Sequence, residues 1–204
     1  MDIDAFILVG GRSSRFGIDK ANIHFDGKPL LERTVQTIKT ALDPKRITLV
    51  AATEPQLQLS LPFVYDIHQK RGPFGAVHAA LASAQTDWAF IIACDFPFVS
   101  ADLIERLAAK IAENTDAVAP IQSDGRIQPL VALYRVKSVL KFVDETLTNN
   151  QSSPPVKVIF EQVRPTLVPF ETFADIPNSR DIFLNLNTPA DLLRANEIVG
   201  EKHE

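Results

Sequence analysis

The sequence predicts an α/β fold: a Rossmann-like, mostly parallel twisted sheet with helices on both faces, in three αβα layers. Short, continuous apolar runs such as residues 5–9 (AFILV) and 89–93 (AFIIA) are typical of strands that are buried on both faces. Helical patterns alternate with these runs through the first half of the chain, which indicates βαβ crossovers and therefore parallel strands. The second half is more mixed, and there we expect one or two antiparallel strands.

The individual elements follow from apolar spacing and from turn residues. The first helix begins near Pro29 and ends before Pro44, and an apolar stripe runs along one side of it. The other predicted helices cover residues 74–84, 101–112, 136–148, 156–163 and 189–199. The predicted strands cover residues 5–9, 47–52, 63–65, 89–93, 116–121, 129–134 and 183–185. Ser100 and Thr188 are the predicted N-caps of the helices that follow them.

Composition narrows the classes of function. The chain has 204 residues, of which 46% are hydrophobic, and we expect one domain over residues 1–200 with a frayed C-terminus at 201–204. A formal net charge of -4 without a basic stripe predicts no nucleic-acid binding. The single cysteine, Cys94, excludes an internal disulfide and a multi-cysteine zinc site. Since there is no signal-peptide pattern and no apolar run of ~20 residues, we expect a cytoplasmic protein that does not enter a membrane.

A glycine-rich loop, residues 10–20 (GGRSSRFGIDK), follows the first strand. It does not fit a P-loop, because five residues separate Gly11 from Gly17 and Ala21 follows Lys20. It does not fit the dinucleotide fingerprint either, because its first two glycines are adjacent. Another mode of anion binding therefore has to be considered for this loop.

The residue types of the loop favour a phosphate site. Paired glycines let backbone N–H groups approach an anion closely, and the hydroxyls of Ser13 and Ser14 add donors. Arg12, Arg15 and Lys20 place three cations within the same short segment, at the carboxyl end of the first strand. The alternative is a tight turn whose charges are solvated.

The same loop resembles the signature of the molybdenum-cofactor guanylyltransferase family, approximately L-A-G-G-x-S-x-R-M-G-x-D-K-A. Val9 and Phe16 stand at its Ala and Met positions. Further blocks of the family's pattern follow in the family's order and span most of the chain: residues 27–30 (GKPL), 71–75 (RGPFG), 94–98 (CDFPF), 128–130 (QPL) and 185–189 (NLNTP). One departure is Ala51, which stands where the family often carries an Asn.

The resemblance implies a Mg²⁺-dependent nucleotidyltransferase that transfers GMP from GTP to molybdopterin, or to its molybdenum-loaded form, and releases pyrophosphate. We expect a monomer that makes transient contacts with other molybdenum-cofactor biosynthesis proteins and with molybdoenzymes. Three alternatives remain open: a CTP-dependent cytidylyltransferase acting on the same cofactor, a sugar-phosphate nucleotidyltransferase, and a nucleotide-binding module without catalysis. A phosphate acceptor is already an anion, which agrees with the lack of a Ser-His-Asp or Cys-His pattern in the sequence.

Asp95 is the predicted metal ligand and a predicted catalytic residue. It follows a buried strand, and ligands of open α/β sheets collect outside the carboxyl ends of the strands. A carboxylate there suits Mg²⁺, which shares oxygen ligands with substrate phosphates. The alternative role is a cap of the next turn, whereas the resemblance matches Asp95 to the family's Mg²⁺-binding Asp. Arg15 and Lys20 are the other predicted catalytic residues, since their charges would offset the charge that grows on pyrophosphate.

The remaining site residues come mainly from the resemblance. The predicted nucleotide-binding set is Leu8, Val9, Gly10, Gly11, Ser13, Arg15, Lys20, Asp66, Gly72, Pro73 and Asp95. Within it, Asp66 matches a nucleotide-contacting Asp of the family, and its carboxylate suits either the N1–H and amine of guanine or a ribose. The acceptor-side set is Gln128, Asn185 and Asn187. Turn or cap roles remain open for Asp66 and for the two asparagines.

Overall fold

The computed structural model describes residues 2–9, 20–54, 57, 59–68, 71–149 and 152–200. The side chain of Lys20 is not described. Its strands are β1 (Ile3–Leu8), β2 (His24–Phe25), β3 (Lys28–Pro29), β4 (Arg46–Ala51), β5 (Phe63–Tyr65), β6 (Trp88–Ala93), β7 (Ala117–Pro120), β8 (Val131–Arg135) and β9 (Pro165–Val168). Its helices are α1 (Leu30–Leu42), α2 (Gly72–Ser83), α3 (Ala101–Ala108), α4 (Val136–Asn149), α5 (Ile159–Gln162) and α6 (Pro189–Gly200).

Seven of these strands form one sheet in the order β5-β4-β1-β6-β8-β7-β9. The pairs that β1 makes with β4 and β6 are parallel, and so are the pairs β4–β5 and β7–β9. Strand β8 runs antiparallel to both of its neighbours, β6 and β7. The prediction of a mostly parallel sheet with an antiparallel strand in the second half is therefore confirmed.

The two faces of the sheet are both covered by helices, which confirms the three-layer prediction. All six residues of β6 are buried. Trp88, Phe90 and Ile92 pack in one cluster with the apolar residues of α1 and α3, whereas Ala89 and Ile91 pack in a second cluster with those of α2 and α4. Alternate side chains of a strand point to opposite faces, so burial on both faces requires the continuous apolar run that the sequence shows.

Local capping sets the bounds of two helices. The Ser100 hydroxyl accepts a hydrogen bond from the Leu103 N–H at 3.3 Å, as the predicted N-cap of α3. The Asp191 N–H donates to the Thr188 hydroxyl at 3.2 Å, while the Thr188 N–H donates back to the Asp191 carboxylate at 2.8 Å; this reciprocal pair caps α6. Helix α3 ends before its predicted bound, because the Lys110 N–H bonds three residues back, to the Leu107 carbonyl at 3.0 Å.

One predicted strand is wrong, and three short strands escaped prediction. Residues 183–185 form no strand; the Leu184 N–H closes a turn on the Asp181 carbonyl at 2.8 Å. Strand β9 begins with Pro165 and pairs with β7. Because proline is uncommon within strands, the sequence did not predict this short strand. Strands β2 and β3 form a hairpin whose turn has positive φ at Asp26 (51°) and Gly27 (76°). Asp-Gly is the typical sequence of such a turn.

No helix in the part of the chain that the structure describes is both long and apolar enough to cross a membrane.

Asp116 supports a prediction about acid stability. Its buried carboxylate accepts hydrogen bonds from the Arg164 Nε at 2.7 Å and Nη2 at 3.0 Å, and these bonds lower the pKa of Asp116 from 3.8 to about 2. Because the pKa of Asp116 is lower in the folded state than in the unfolded state, its ionised carboxylate stabilises the fold at pH values above the unfolded pKa. This stabilisation is lost as the pH falls through the folded pKa of about 2. We expect a loss of about 1–2 kcal/mol in the free energy of unfolding over that window, discounted because Arg164 is largely exposed.

Urea titrations at a series of pH values test this expectation. Asp116→Asn should remove that part of the decline below pH 4. Asp2→Asn is the control, since the ion pair of Asp2 with Lys45, at 3.6 Å, is exposed to solvent. An unchanged pH dependence in Asp116→Asn contradicts the assignment.

Candidate active site

A cavity of about 480 Å³ opens at the carboxyl edge of the parallel strands. The ends of β1, β4, β5 and β6 meet there with the start of α2 and with the segment that precedes α6. The cavity is lined by Leu8, Val9, Val50, Ala51, Ala52, Asp66, Gly72, Pro73, Ala76, Ala93, Cys94, Asp95, Leu130, Asn185 and Asn187. Of the predicted site residues, it brings together Leu8, Val9, Asp66, Gly72, Pro73, Asp95, Asn185 and Asn187.

Chain topology explains why the cavity forms at this point. From β1 the chain passes through α1 on one face of the sheet to β4, and from β5 it passes through α2 on the other face to β6. Such a change of direction leaves a crevice outside the strand ends. Backbone hydrogen bonds hold the strand ends at the bottom of the cavity together. The Val9 N–H donates to the Val50 carbonyl at 2.9 Å, and the Cys94 N–H donates to the Leu8 carbonyl at 3.2 Å.

Asp95 reaches the cavity from the turn after β6. The residue is 9% exposed, and its backbone carbonyl accepts a hydrogen bond from the Leu186 N–H at 3.0 Å. Leu186 is fully buried with Ile23, Phe25 and Leu30, so the segment before α6 is anchored beside the Asp95 turn. The backbone of the Asp95 turn is thereby fixed by packing that does not depend on the Asp95 side chain.

Asn185 adds an amide oxygen to the same cavity. Its Oδ1 is buried and has no hydrogen-bond partner within the described ranges of the chain. A buried acceptor left in this state costs free energy, so a ligand that donates to it or coordinates it gains affinity. Asn187, which also lines the cavity, lies further out, and its N–H donates to the Asp191 carboxylate at 3.0 Å.

Asp66 lies at the end of β5, 8% exposed. Its backbone N–H donates to the Ala51 carbonyl at 2.9 Å, and its carboxylate accepts the His68 N–H at 3.0 Å. Burial raises the pKa of the Asp66 carboxyl above its usual value of 3.8, while the His68 N–H and the nearby imidazoles of His68 and His78 lower it. A largely desolvated carboxylate is a strong acceptor for paired N–H or O–H donors of a ligand.

The start of α2 forms one wall. Gly72 has φ of +59°, a left-handed conformation that favours glycine, and Pro73 follows at a position where its missing N–H costs nothing. The remaining N–H groups of this first turn have no partner within the helix. Through Gly72 and Pro73, the block of residues 71–75 (RGPFG) therefore forms the lip of the cavity.

Other predicted residues lie elsewhere or outside the described part. Gly10, Gly11, Arg12, Ser13, Ser14 and Arg15 lie outside the described residues, and so does the side chain of Lys20. The Lys20 backbone opens a 3-10 turn, Lys20–Asn22, that leads into the hairpin. Gln128 lines a neighbouring cavity of about 490 Å³, which shares Pro73 and Leu130 with the first. The roles of the glycine-rich loop residues and of Gln128 remain predictions.

Sequence reasoning passed over the small apolar lining, Val50, Ala52, Ala76, Ala93 and Leu130. These residues shape the cavity but carry no polar group, so their residue types do not identify them in the sequence as site residues. Position offers a signal only for Ala52 and Ala93, which end predicted strands, whereas Ala76 and Leu130 lie within a predicted helix and a predicted strand.

The donor set fits Mg²⁺ shared with a nucleotide. Among the described residues no group of three or more His, Cys, Asp or Glu is arranged to hold a metal by itself. Mg²⁺ is commonly held by one or two carboxylates together with substrate phosphates and water, and it accepts only oxygen ligands readily. Asp95 and the amide oxygen of Asn185 supply oxygen at this cavity.

Comparisons with known proteins agree on a nucleotidyltransferase. Residues 5–159 match the model of the MobA-like NTP transferase domain. The chain is 30% identical to a probable molybdenum cofactor guanylyltransferase of Peptoclostridium acidaminophilum, over 97% of this chain and 90% of that protein. It is 33% identical to a molybdenum cofactor guanylyltransferase of Vibrio atlanticus, over 91% of both.

Solved structures give the same fold. Molybdopterin-guanine dinucleotide biosynthesis protein A of Archaeoglobus fulgidus superposes with a TM-score of 0.77 at 26% identity, covering 97% of this chain and 99% of that chain. The 2-C-methyl-D-erythritol 4-phosphate cytidylyltransferase of Thermus thermophilus has a TM-score of 0.68 at 16% identity, covering 98% and 100%. This second likeness concerns the fold alone.

Proposed function

The chain belongs to the MobA-like NTP transferase family, and we propose that it transfers GMP from Mg-GTP to molybdopterin, forming the guanine dinucleotide of the molybdenum cofactor. A phosphate oxygen of the acceptor attacks the α-phosphorus of GTP. The bond from that phosphorus to the bridging oxygen breaks, and pyrophosphate leaves with the electron pair. The proposal covers residues 1–200 as one nucleotidyltransferase domain that acts as a monomer.

One observation carries the proposal most directly. Two largely buried carboxylates, Asp66 and Asp95, line a single cavity at the strand ends. Asp95 would hold Mg²⁺ together with the nucleotide phosphates. Asp66 would accept hydrogen bonds from the guanine edge or from the ribose.

Catalysis in this proposal consists of positioning and charge neutralisation. When bound, Mg²⁺ neutralises charge on the triphosphate and orients it for in-line attack. Arg15 and Lys20 of the glycine-rich loop offset the charge that grows on pyrophosphate. The N–H groups at the start of α2, after Gly72 and Pro73, face the nucleotide. Gln128, Asn185 and Asn187 contact the acceptor, so that the two phosphates meet between the Asp95 turn and the segment before α6.

The assignment to GTP is tested by thermal melting with GTP, CTP and ATP, each with and without Mg²⁺. A ligand that binds only the folded state stabilises it by RT ln(1 + [L]/Kd), so the preferred nucleotide gives the largest shift. We expect GTP with Mg²⁺ to give that shift. A larger shift with CTP transfers the assignment to a cytidylyltransferase, and equal shifts remove the reason for naming guanine.

Turnover decides between catalysis and mere binding. Incubation with Mg-GTP and molybdopterin should give guanylated product and pyrophosphate in equal amounts. Nucleotide binding without any product indicates a nucleotide-binding module. Product that forms with a sugar phosphate and not with molybdopterin indicates a sugar-phosphate nucleotidyltransferase.

A further inference from the structure

The turn that carries Asp66 lies along one face of α2. Gly75 faces Asp66 so closely that a Cβ at this position would stand 2.9 Å from the Asp66 Oδ1 and 3.1 Å from the His68 carbonyl. Three residues further along α2, on the same face, the ring of His78 meets the ring of His68 edge-to-face, with 4.5 Å between ring centroids. The segment 66–68 therefore rests on α2 at two points.

His78 is fixed from the other side by α4. Its Nε2 lies 2.6 Å from the Asp144 Oδ1, and the His78 side chain is 6% exposed whereas that of Asp144 is 56% exposed. A second bond links the residue before α2 to α4, since the Arg71 Nη2 donates to the Leu147 carbonyl at 3.3 Å. Asp144 thus contacts an imidazole that also packs against the His68 ring of the Asp66 turn.

If His78 served only to pack α2 against its neighbours, an apolar side chain would stabilise this position better. The other large buried side chains of α2, Phe74, Val77 and Leu81, are apolar. The His78 Nδ1 is buried and has no hydrogen-bond partner among the described residues, which costs free energy that an apolar side chain of similar size would avoid. The His68 N–H in turn holds the Asp66 carboxylate at 3.0 Å.

We propose that His78, oriented by Asp144, is a positioning residue that fixes the Asp66 carboxylate for the nucleoside part of the substrate. The inference rests on the proposed function, in which Asp66 contacts the base or the ribose. His78 touches no reacting atom. Its effect therefore falls on nucleoside recognition and leaves both triphosphate binding and the chemical step unchanged.

The test compares two probes on each variant: Mg-GTP, and Mg-tripolyphosphate, which lacks a nucleoside. We expect His78→Leu to weaken GTP binding about tenfold, as a misplaced contact does, while tripolyphosphate binding stays within about twofold. The KM for GTP should rise in parallel, with kcat at saturating GTP nearly unchanged. His78→Gln, which keeps a donor for Asp144, should restore most of the affinity.

Two further variants bracket the result. Asp66→Asn gives the loss expected when the carboxylate itself is replaced. Ser83→Ala is the control, because the Ser83 hydroxyl faces the Ala79 and Ala80 carbonyls at the far end of α2. His78→Leu should fold, since Asp144 is left facing water, and a melting curve verifies this. Equal weakening for both probes, or unchanged GTP affinity in folded His78→Leu, overturns the proposal.

The two hypotheses fail in different ways. If the wild-type protein prefers another nucleotide, the guanylyltransferase assignment is wrong, and the same comparison is made with that nucleotide against tripolyphosphate. If the wild-type protein binds GTP but His78→Leu affects both probes alike, only the positioning role is wrong.

Discussion

Replacing Asp95 by alanine should lower Mg²⁺-dependent turnover by about three orders of magnitude or more, because in the proposed function Asp95 is the protein carboxylate that shares the metal with the nucleotide phosphates. The fold should be little affected. The Asp95 turn is held by its backbone carbonyl, which accepts the Leu186 N–H at 3.0 Å whatever side chain is present. Initial rates of pyrophosphate release, measured over a range of Mg²⁺ concentrations, give the result.

Two companion variants sharpen this expectation. Asp95→Asn keeps the size and one oxygen but loses the charge, so it should retain little activity and require more Mg²⁺. Asp124→Ala is the control for loss of an acidic residue, because Asp124 pairs with Arg126 in an exposed turn. Near-normal turnover in Asp95→Ala sinks the assignment of Asp95 as the metal ligand.

Replacing Asp4 by alanine should lower the free energy of unfolding by about 3 kcal/mol, with turnover of the folded protein preserved. Asp4 is 2% exposed near the amino end of β1. Its Oδ2 accepts the Gln85 N–H at 2.7 Å and the Arg46 Nη2 at 3.2 Å. Removal of the carboxylate leaves the Gln85 N–H and the half-buried Arg46 guanidinium without that partner. Removing one member of a buried pair lowers the free energy of unfolding strongly, because the other group stays buried and unpaired.

Denaturant unfolding at neutral pH measures this loss, and activity assays are run well below the midpoint. Asp4→Asn keeps an acceptor for Gln85 and should cost roughly half as much. Arg46 retains a bond from its Nη2 to the Ser83 carbonyl at 2.7 Å in both variants, so β4 stays tied to the end of α2. A loss below about 1 kcal/mol in Asp4→Ala means that water replaces the carboxylate at little cost.

The sequence was informative wherever one physical rule dominated. Continuous apolar runs located β1, β4 and β6, because only a strand buried on both faces requires such a run. Position after the buried strand β6 predicted that Asp95 lies at the edge of the sheet, and the resemblance singled out Asp66; both residues line the cavity. Capping chemistry located the starts of α3 and α6.

The sequence was less informative where a local structure depends on contacts between residues that lie far apart in the chain. Residues 165–168 form a strand because β7 offers an edge, and residues 183–185 do not because the chain closes turns there instead. The contact between Asp144 and His78 joins residues 66 positions apart, and no local pattern announces it. The same holds for the Leu186 N–H that anchors the Asp95 turn.

The bond between Leu186 and Asp95 also has a consequence for synthesis. The ribosome makes β1, Asp66 and Asp95 early, whereas Asn185 and Leu186 emerge long after them. The pocket is therefore completed late in translation, and an emerging chain that already exposes Asp95 still lacks one wall of its site. Termination just before residue 185 should yield a chain that contains every strand of the seven-stranded sheet but has no assembled pocket.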